Sequence, residues 1–168
     1  MSSVVLLIVL GALLMVALML QGAFKNVYEE VQLLAVVDGD TLLVSNKHYP
    51  EGVQVHLIGI DAPELASETG DRDQYYARNA ADFVRTKLRN SNKVFLEFDR
   101  ERYNHRDQLL AYVYATKNGS SLKSLNAEMI QKGYARAVSQ DPNVRYDKHF
   151  RKLENEARRR RLGIWRKG

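Results

Sequence analysis

The 168-residue chain contains no cysteine. This absence excludes a disulfide framework, a thiolate zinc site and a cysteine nucleophile. The sequence also lacks internal repeats and low-complexity linkers, and no charged side chain precedes Lys25. After the uncharged N-terminal segment, about 140 residues remain, which suits one compact domain of ordinary size.

Residues 4–20 form an apolar run without a break. Counting the flanking apolar positions, about 20 helical residues at about 1.5 Å each match a bilayer core of about 30 Å. No Lys or Arg precedes the run, and Gln21-Gly22-Ala23-Phe24 is a poor signal-peptidase site. We therefore predict a single-pass membrane anchor at residues 1–24, in preference to a cleaved signal that would give a secreted form. A short linker at 25–30 follows it.

Positive charge is concentrated at the C-terminal end of the chain. Residues 143–168 hold ten Lys or Arg against three Asp or Glu, a net charge of +7, which leaves −2 for the first 142 residues. A basic tail on a mildly acidic body indicates a polyanion-binding surface, and Arg145 and Lys148 are its candidate nucleic-acid contacts. The alternative is a solvated helix face.

Hydrophobic periodicity predicts an α+β domain over residues 31–168. Segments rich in Val, Leu and Ile are typical of strands at 31–37, 41–45, 53–60, 94–98 and 109–114. Helical spacing of apolar residues occurs at 74–88, at 122–130 and at 143–161, with Gly133 placed to end the second helix. Three strands, a helix, two strands and two helices fit a closed, five-stranded Greek-key β-barrel of the oligonucleotide-binding type.

Acidic residues are dense at two predicted strand ends. Asp38-Gly39-Asp40-Thr41 separates the first two strands, and Asp61 and Glu64 follow the third. Neighbouring carboxylates repel one another, so a hard divalent cation with oxygen ligands would explain their density. Asp-Gly is also a common turn sequence, which leaves a structural role open for Asp38 and Asp40.

Five segments occur in the order typical of the staphylococcal nuclease family, which the chain resembles from Leu33 to Trp165. They are VDGDT, LIGIDAPE, LLAYVYA, LNAEMIQKGYARA and LGIW. The resemblance implies Ca²⁺-dependent cleavage of phosphodiester bonds in DNA and RNA. It also implies that Asp40, Asp61 and the Ala62 carbonyl, where the family usually has Thr, bind calcium. Glu64 matches the glutamate that orients or deprotonates the attacking water.

Two arginines that grip the phosphate in that family are replaced here. His56 stands at the first position and Gln108 at the second. Because an arginine in this role contributes roughly 10³–10⁵ in rate, direct carry-over predicts weak activity. The basic loop at 99–108 offers Arg106 as a substitute and Arg102 as a further nucleic-acid contact, unless the loop is a solvated hairpin tip. His56 is a candidate acid for the leaving oxygen.

These residues allow three hypotheses about function. The first is a membrane-anchored, calcium-dependent nuclease with a rearranged phosphate clamp, favoured by the retention of Asp40, Asp61 and Glu64. The second is a catalytically impaired module that binds nucleic acid through its basic tail, favoured by the loss of both arginines. The third is a membrane-tethered module that binds a protein partner.

Overall fold

The computed structural model describes residues 28–66, 72–116 and 123–166. The predicted anchor at 1–24, the first residues of the linker and Leu122, the predicted start of the second helix, lie outside these ranges. Within the described ranges, no helix combines the length and the apolar character needed to cross a bilayer.

The described part of the chain contains seven strands and three helices. The strands are β1 (Glu29–Val36), β2 (Thr41–Asn46), β3 (Tyr49–Leu57), β4 (Ile60–Asp61), β5 (Lys93–Glu97), β6 (Leu109–Tyr114) and β7 (Arg136–Ala137). The helices are α1 (Ala77–Leu88), α2 (Leu125–Gln131) and α3 (Asp147–Arg159), followed by a 3-10 turn at Gly163–Arg166. The first strand thus begins inside the predicted linker.

Five of these strands form a closed barrel, which confirms the predicted architecture. Their order around the barrel is β1-β2-β3-β6-β5, and β5 pairs with β1 to close it. Strands β3 and β6 are parallel, whereas the other barrel pairs are antiparallel. Strands β4 and β7 form a separate two-stranded pair outside the barrel.

Helix α2 is fastened to the barrel by the buried side chain of Asn126. Its carboxamide oxygen accepts the Val113 N–H at 2.9 Å, and its nitrogen donates to the Ile58 carbonyl at 2.8 Å. Strand β6 is buried along its whole length, with α2 packed against it. The same asparagine therefore holds the chain directly after β3, three residues before Asp61.

The strand predicted at 53–60 is interrupted after Leu57. Gly59 has φ +77°, a conformation that side chains disfavour, and a Cβ there would lie 2.9 Å from the Phe150 ring. The chain therefore turns and continues as β4, which places Ile60 opposite Ala137 and Asp61 opposite Arg136. This turn separates Asp61 from the barrel interior and leaves it exposed.

The helices are shorter than predicted because local contacts compete at their ends. Tyr76 has φ +75°, so α1 begins at Ala77 rather than at residue 74. The Ser124 hydroxyl caps α2 by accepting the Ala127 N–H at 3.2 Å. Asn143 does not open α3, because its side-chain oxygen Oδ1 accepts the N–H groups of Arg100 and Glu101. Gly133 follows α2 as predicted, with φ +75°.

Candidate functional site

A cleft of about 390 Å³ lies where the β1–β2 turn, the end of β3, β4 and the β5–β6 loop meet. We call it the acidic cleft. It is lined by Val37, Asp38, Asp40, Thr41, Gln54, His56, Asp61, Glu64, Asn104, His105, Arg106, Gln108 and Gln140. The fold thus brings together seven of the side chains singled out from the sequence, from four separate segments.

Asp40 is the most enclosed carboxylate of the acidic cleft, with 8% of its surface exposed. One carboxylate oxygen accepts the Ala62 N–H at 2.8 Å, and the other accepts the Thr41 hydroxyl at 3.1 Å. Asp38 shapes the turn that leads to it, because its side chain accepts the Asp40 N–H at 3.0 Å. The turn role left open for Asp38 is therefore present.

Burial shifts the pKa of Asp40 and that of His56 so that the uncharged form of each side chain is favoured. It raises the pKa of Asp40 to about 7, against the opposing effect of the Ala62 N–H and with a further increase from Asp38. Burial also lowers the pKa of His56, although Asp38 and Asp61 favour its protonated form. The two side chains lie 3.5 Å apart, and His56 provides Asp40 with no full positive charge at neutral pH.

Asp61 and Glu64 are exposed, but the backbone around Glu64 is held in place. The Gln74 N–H donates to the Glu64 carbonyl at 3.0 Å. In return, the Glu64 N–H donates to the Gln74 side-chain oxygen at 3.3 Å. This reciprocal pair fixes the main chain while the carboxylate faces the solvent of the cleft.

The β5–β6 loop presents Arg106 through a turn centred on Asn104. The Asn104 carboxamide oxygen accepts the N–H groups of Arg106 at 2.9 Å and Gln108 at 3.1 Å. The Gln108 carboxamide itself bonds to Asn104 and Gln54, so it is committed to the loop. The exposed Arg106 forms no ion pair with any carboxylate of the described residues.

The other predicted nucleic-acid contacts lie outside the acidic cleft. Arg102 pairs with Glu29 at 2.6 Å and lies over the Phe98 ring. Arg145 pairs with the buried Glu97 at 2.6 Å and with Asp99 at 3.4 Å. Lys148 is exposed on α3. Both arginines therefore have structural partners, and the nucleic-acid role of these three residues stays a prediction.

Several cleft residues were not identified from the sequence. Thr41 belongs to the DGDT segment, and its hydroxyl donates a hydrogen bond to the Asp40 carboxylate. The motif was the signal that could have identified it. Gln54, Asn104 and Gln140 carried no signal, because isolated polar residues at strand edges and in loops are common. Only the register of the barrel and the loop geometry bring them to the cleft.

A second cleft, of about 200 Å³, lies on the other side of Asp61. We call it the Arg136 cleft. It is lined by Asp61, Ala62, Pro63, Gln74, Tyr75, Arg136 and Ile164. Asp61 lines both clefts, so the two lie next to each other at that residue.

The donor set of the acidic cleft fits a hard divalent cation. Carboxylate and carbonyl oxygens are the ligands that Ca²⁺ prefers, and it takes about six to eight of them. Among the described residues, no three His, Cys, Asp or Glu side chains group closely enough to hold a metal by themselves. The predicted set takes the carboxylates of Asp40 and Asp61 from the acidic cleft, whereas Ala62, whose carbonyl it also needs, lines the Arg136 cleft beside Asp61. Water and substrate oxygens would complete the shell.

Comparison with known proteins agrees with the fold and the cleft. Residues 54–167 match the sequence profile of a family described as staphylococcal nuclease homologue. The thermonuclease of Staphylococcus hyicus is 28% identical over 95% of this chain and 95% of its own length. The thermonuclease of Staphylococcus intermedius is 32% identical over 86% of this chain and 83% of its own. The prophage-derived endonuclease YokF of Bacillus subtilis is 37% identical over 82% of this chain, but over 44% of its own length.

Replacing Asp40 with Asn tests whether its ionised carboxylate destabilises the fold in the absence of metal. Because the pKa of Asp40 is raised from 3.8 to about 7 in the folded state, the folded chain binds the extra proton between these values. The contribution of Asp40 to stability therefore falls as the pH rises through this window. In EDTA, we expect Asp40→Asn to exceed the native chain in unfolding free energy by roughly 2–4 kcal/mol at pH 8, and by little at pH 4.

Urea denaturation at pH values from 4 to 8 measures this difference, with Asp141→Asn on the exposed surface as the control. The control should follow the native chain at every pH. A gap between Asp40→Asn and the native chain that stays constant with pH would contradict the raised pKa.

Proposed function

The chain belongs to the staphylococcal nuclease family and is a nuclease, and we propose on this basis that it hydrolyses phosphodiester bonds of DNA or RNA with Ca²⁺ in the acidic cleft. The observation that carries the proposal is the composition of that cleft. Four carboxylates, the imidazole of His56 and the guanidinium of Arg106 line one cavity of about 390 Å³. Metal-assisted phosphodiester cleavage needs acidic ligands, a base and a cation for the phosphate, and this cleft contains all three.

Asp40, Asp61 and the Ala62 carbonyl are the proposed calcium ligands. A bound calcium ion supplies positive charge that offsets the carboxylates and polarises a phosphate oxygen. Asp40 supports this role because it is buried, its pKa is raised, and among the described residues its one basic partner is His56, whose own pKa is lowered. The hydrogen bond from the Ala62 N–H to Asp40 keeps these two residues adjacent.

Glu64 is the proposed base. Its carboxylate is exposed in the acidic cleft, while Gln74 holds its backbone through two hydrogen bonds. A carboxylate in a fixed position can orient a water molecule and take its proton as the water attacks phosphorus. Of the other carboxylates of the cleft, Asp40 is buried and Asp61 is assigned to the metal. Asp38 accepts the Asp40 N–H within the β1–β2 turn.

Arg106 is the proposed phosphate-binding residue in place of the two replaced arginines. Its guanidinium is permanently charged, can donate two parallel hydrogen bonds to a phosphate, and forms no described ion pair. Gln108 supports it indirectly, because the Gln108–Asn104 bonds hold the turn from which Arg106 projects. His56 is the proposed acid for the leaving oxygen, since a bound phosphate adds negative charge that favours its protonated form.

Replacing Glu64 with Gln removes the proposed base and keeps the side-chain size. We expect a loss of at least about 10²-fold in the rate of single-stranded DNA cleavage, because general-base catalysis contributes about 10²–10⁴. Cleavage by the native chain should require Ca²⁺ and stop in EGTA.

The matched control is Glu51→Gln, which changes an exposed glutamate of β3 outside the acidic cleft. It should cleave at the native rate. If Glu64→Gln and Glu51→Gln are equally active, Glu64 is not the base. If the native chain leaves DNA and RNA intact at high concentration with Ca²⁺, the proposed function is wrong.

Replacing Arg106 with Gln tests the rearranged phosphate clamp. We expect kcat to fall by about 10²–10³, as it does when one preorganised donor to a developing charge is lost. Arg100→Gln is the control, since Arg100 is an exposed arginine of the same loop and does not line the acidic cleft. Equal single-turnover rates for the two variants would exclude Arg106 from the clamp.

The proposal includes attachment to a membrane through residues 4–20, on the strength of their uninterrupted apolar sequence. We expect the full chain to stay in the membrane fraction after an alkaline carbonate wash, because about 20 apolar residues insert stably. A variant with Leu7, Val9 and Leu13 replaced by Lys should be released or not inserted. Complete recovery of the native full chain in the supernatant would rule out an anchor.

A further inference from the structure

The Arg136 cleft places an exposed cation next to Asp61. In the antiparallel β4–β7 pair Asp61 lies directly opposite Arg136, and opposed side chains project from the same face. Arg136 nevertheless forms no ion pair with a described carboxylate, and its guanidinium lies 5.8 Å from the Trp165 ring. A permanent positive charge therefore stands beside the proposed calcium ligand on the side away from Arg106.

The same cleft exposes the outermost ring of an aromatic row. Tyr75 lies 5.6 Å from Tyr76, Tyr76 stacks on Tyr134 at 5.8 Å, and Tyr134 stacks on Phe83 at 4.6 Å. Tyr134 and Phe83 pack against the core, whereas 46% of Tyr75 is exposed. An exposed ring supported from behind is suited to stack on a planar group, at little cost in side-chain order.

Gln74 connects the Arg136 cleft to the proposed base. It lines that cleft and also makes the two hydrogen bonds that hold the Glu64 backbone. A ligand in the Arg136 cleft would consequently be bound at a fixed distance from Glu64. Asp61, which lines both clefts, places the two sites next to each other.

A cation, an exposed aromatic ring, a carboxamide and the apolar side chain of Ile164 match the parts of a nucleotide. The guanidinium suits a phosphate, the ring suits a base, and Ile164 suits the sugar or the base face. Among the described lining residues, a second divalent cation would find one carboxylate, that of Asp61.

We propose that the Arg136 cleft binds the nucleotide next to the scissile phosphate, with Arg136 on its phosphate and Tyr75 stacked on its base. This inference rests on the proposed nuclease function and deepens it. Since a base that stacks on Tyr75 must be unpaired, the preferred substrate is a single strand. The strand would run from Arg106 across Asp61 to Arg136.

The test compares two single-stranded substrates with the full-length chain in mild detergent and Ca²⁺. The dinucleotide d(TpT) has one phosphodiester and no neighbouring phosphate. An eight-residue oligothymidylate has further phosphates next to the scissile one. We expect Arg136→Gln to raise KM for the octanucleotide about tenfold with kcat unchanged, and to leave d(TpT) cleavage unchanged. Tyr75→Ala should raise KM for the octanucleotide about 5- to 150-fold, and Tyr75→Phe should restore it.

Arg89→Gln is the matched control, because Arg89 is exposed and lines neither cleft. If Arg136→Gln behaves like this control, or weakens both substrates equally, the nucleotide site is excluded. The site is equally excluded if Tyr75→Phe is as impaired as Tyr75→Ala.

Binding measured without cleavage separates this inference from the proposed function. In EDTA, fluorescence anisotropy of a labelled octanucleotide should show that Arg136→Gln reduces the slope of log affinity against log salt by about 0.7. Calcium-dependent cleavage absent from the native chain would reject the nuclease function and leave this binding result to decide the site. Cleavage present with an unchanged slope would reject the site alone.

Discussion

The hydrogen bond from the Ala62 N–H to the Asp40 carboxylate is the contact on which the acidic cleft depends. It joins two segments 22 residues apart, at 2.8 Å, and so places the β1–β2 turn against the end of β4. The contact requires a small residue beside Asp40, since a Cβ at Gly39 would lie 2.7 Å from the Ala62 Cβ and 3.0 Å from that of Ala80. Gly39 is therefore needed for close packing at this contact. Asp61 directly precedes Ala62 and Glu64 follows it by two residues, so the contact helps to position both acidic residues.

The positive charge of the cleft comes from loops and short strands rather than from the barrel wall. His56 on β3 faces Asp40, and burial keeps its pKa low, so the barrel supplies a largely neutral group there at neutral pH. The permanent charge is provided by Arg106, on a turn that Asn104 organises. Asp107 in that turn has φ +57°, a conformation more common for glycine, and it brings Arg106 into the cleft. His56 and Gln108 thus stand where the resemblance places arginines, and the permanent positive charge of the acidic cleft is that of Arg106 on the β5–β6 loop.

The sequence predicted the barrel and the acidic residues that line the acidic cleft, because both depend on local patterns. Periodicity located the five barrel strands, and short motifs located Asp40, Asp61 and Glu64. It could not predict the β4–β7 pair, because residues 60–61 and 136–137 are far apart in the chain and each strand has only two residues. It also counted Arg102 and Arg145 as nucleic-acid contacts. Their partners, Glu29 and Glu97, lie 73 and 48 residues away, and such ion pairs leave no trace in local charge counts.

Two buried carboxylates of this protein differ in how their charge is compensated. Glu97 is 2% exposed, pairs with Arg145 at 2.6 Å, and accepts the hydroxyl groups of Tyr114 and Tyr146. Its compensation is complete within the chain, so it serves to fix α3 to the barrel. The Asp40 carboxylate accepts one N–H and one hydroxyl group. Its basic neighbour among the described residues is the weakly basic His56. A buried carboxylate without a full protein counterion is neutralised by a proton, which the raised pKa of Asp40 favours, or by a cation from outside the chain. The contrast between Glu97 and Asp40 therefore supports the proposal that Asp40, unlike Glu97, receives a cation.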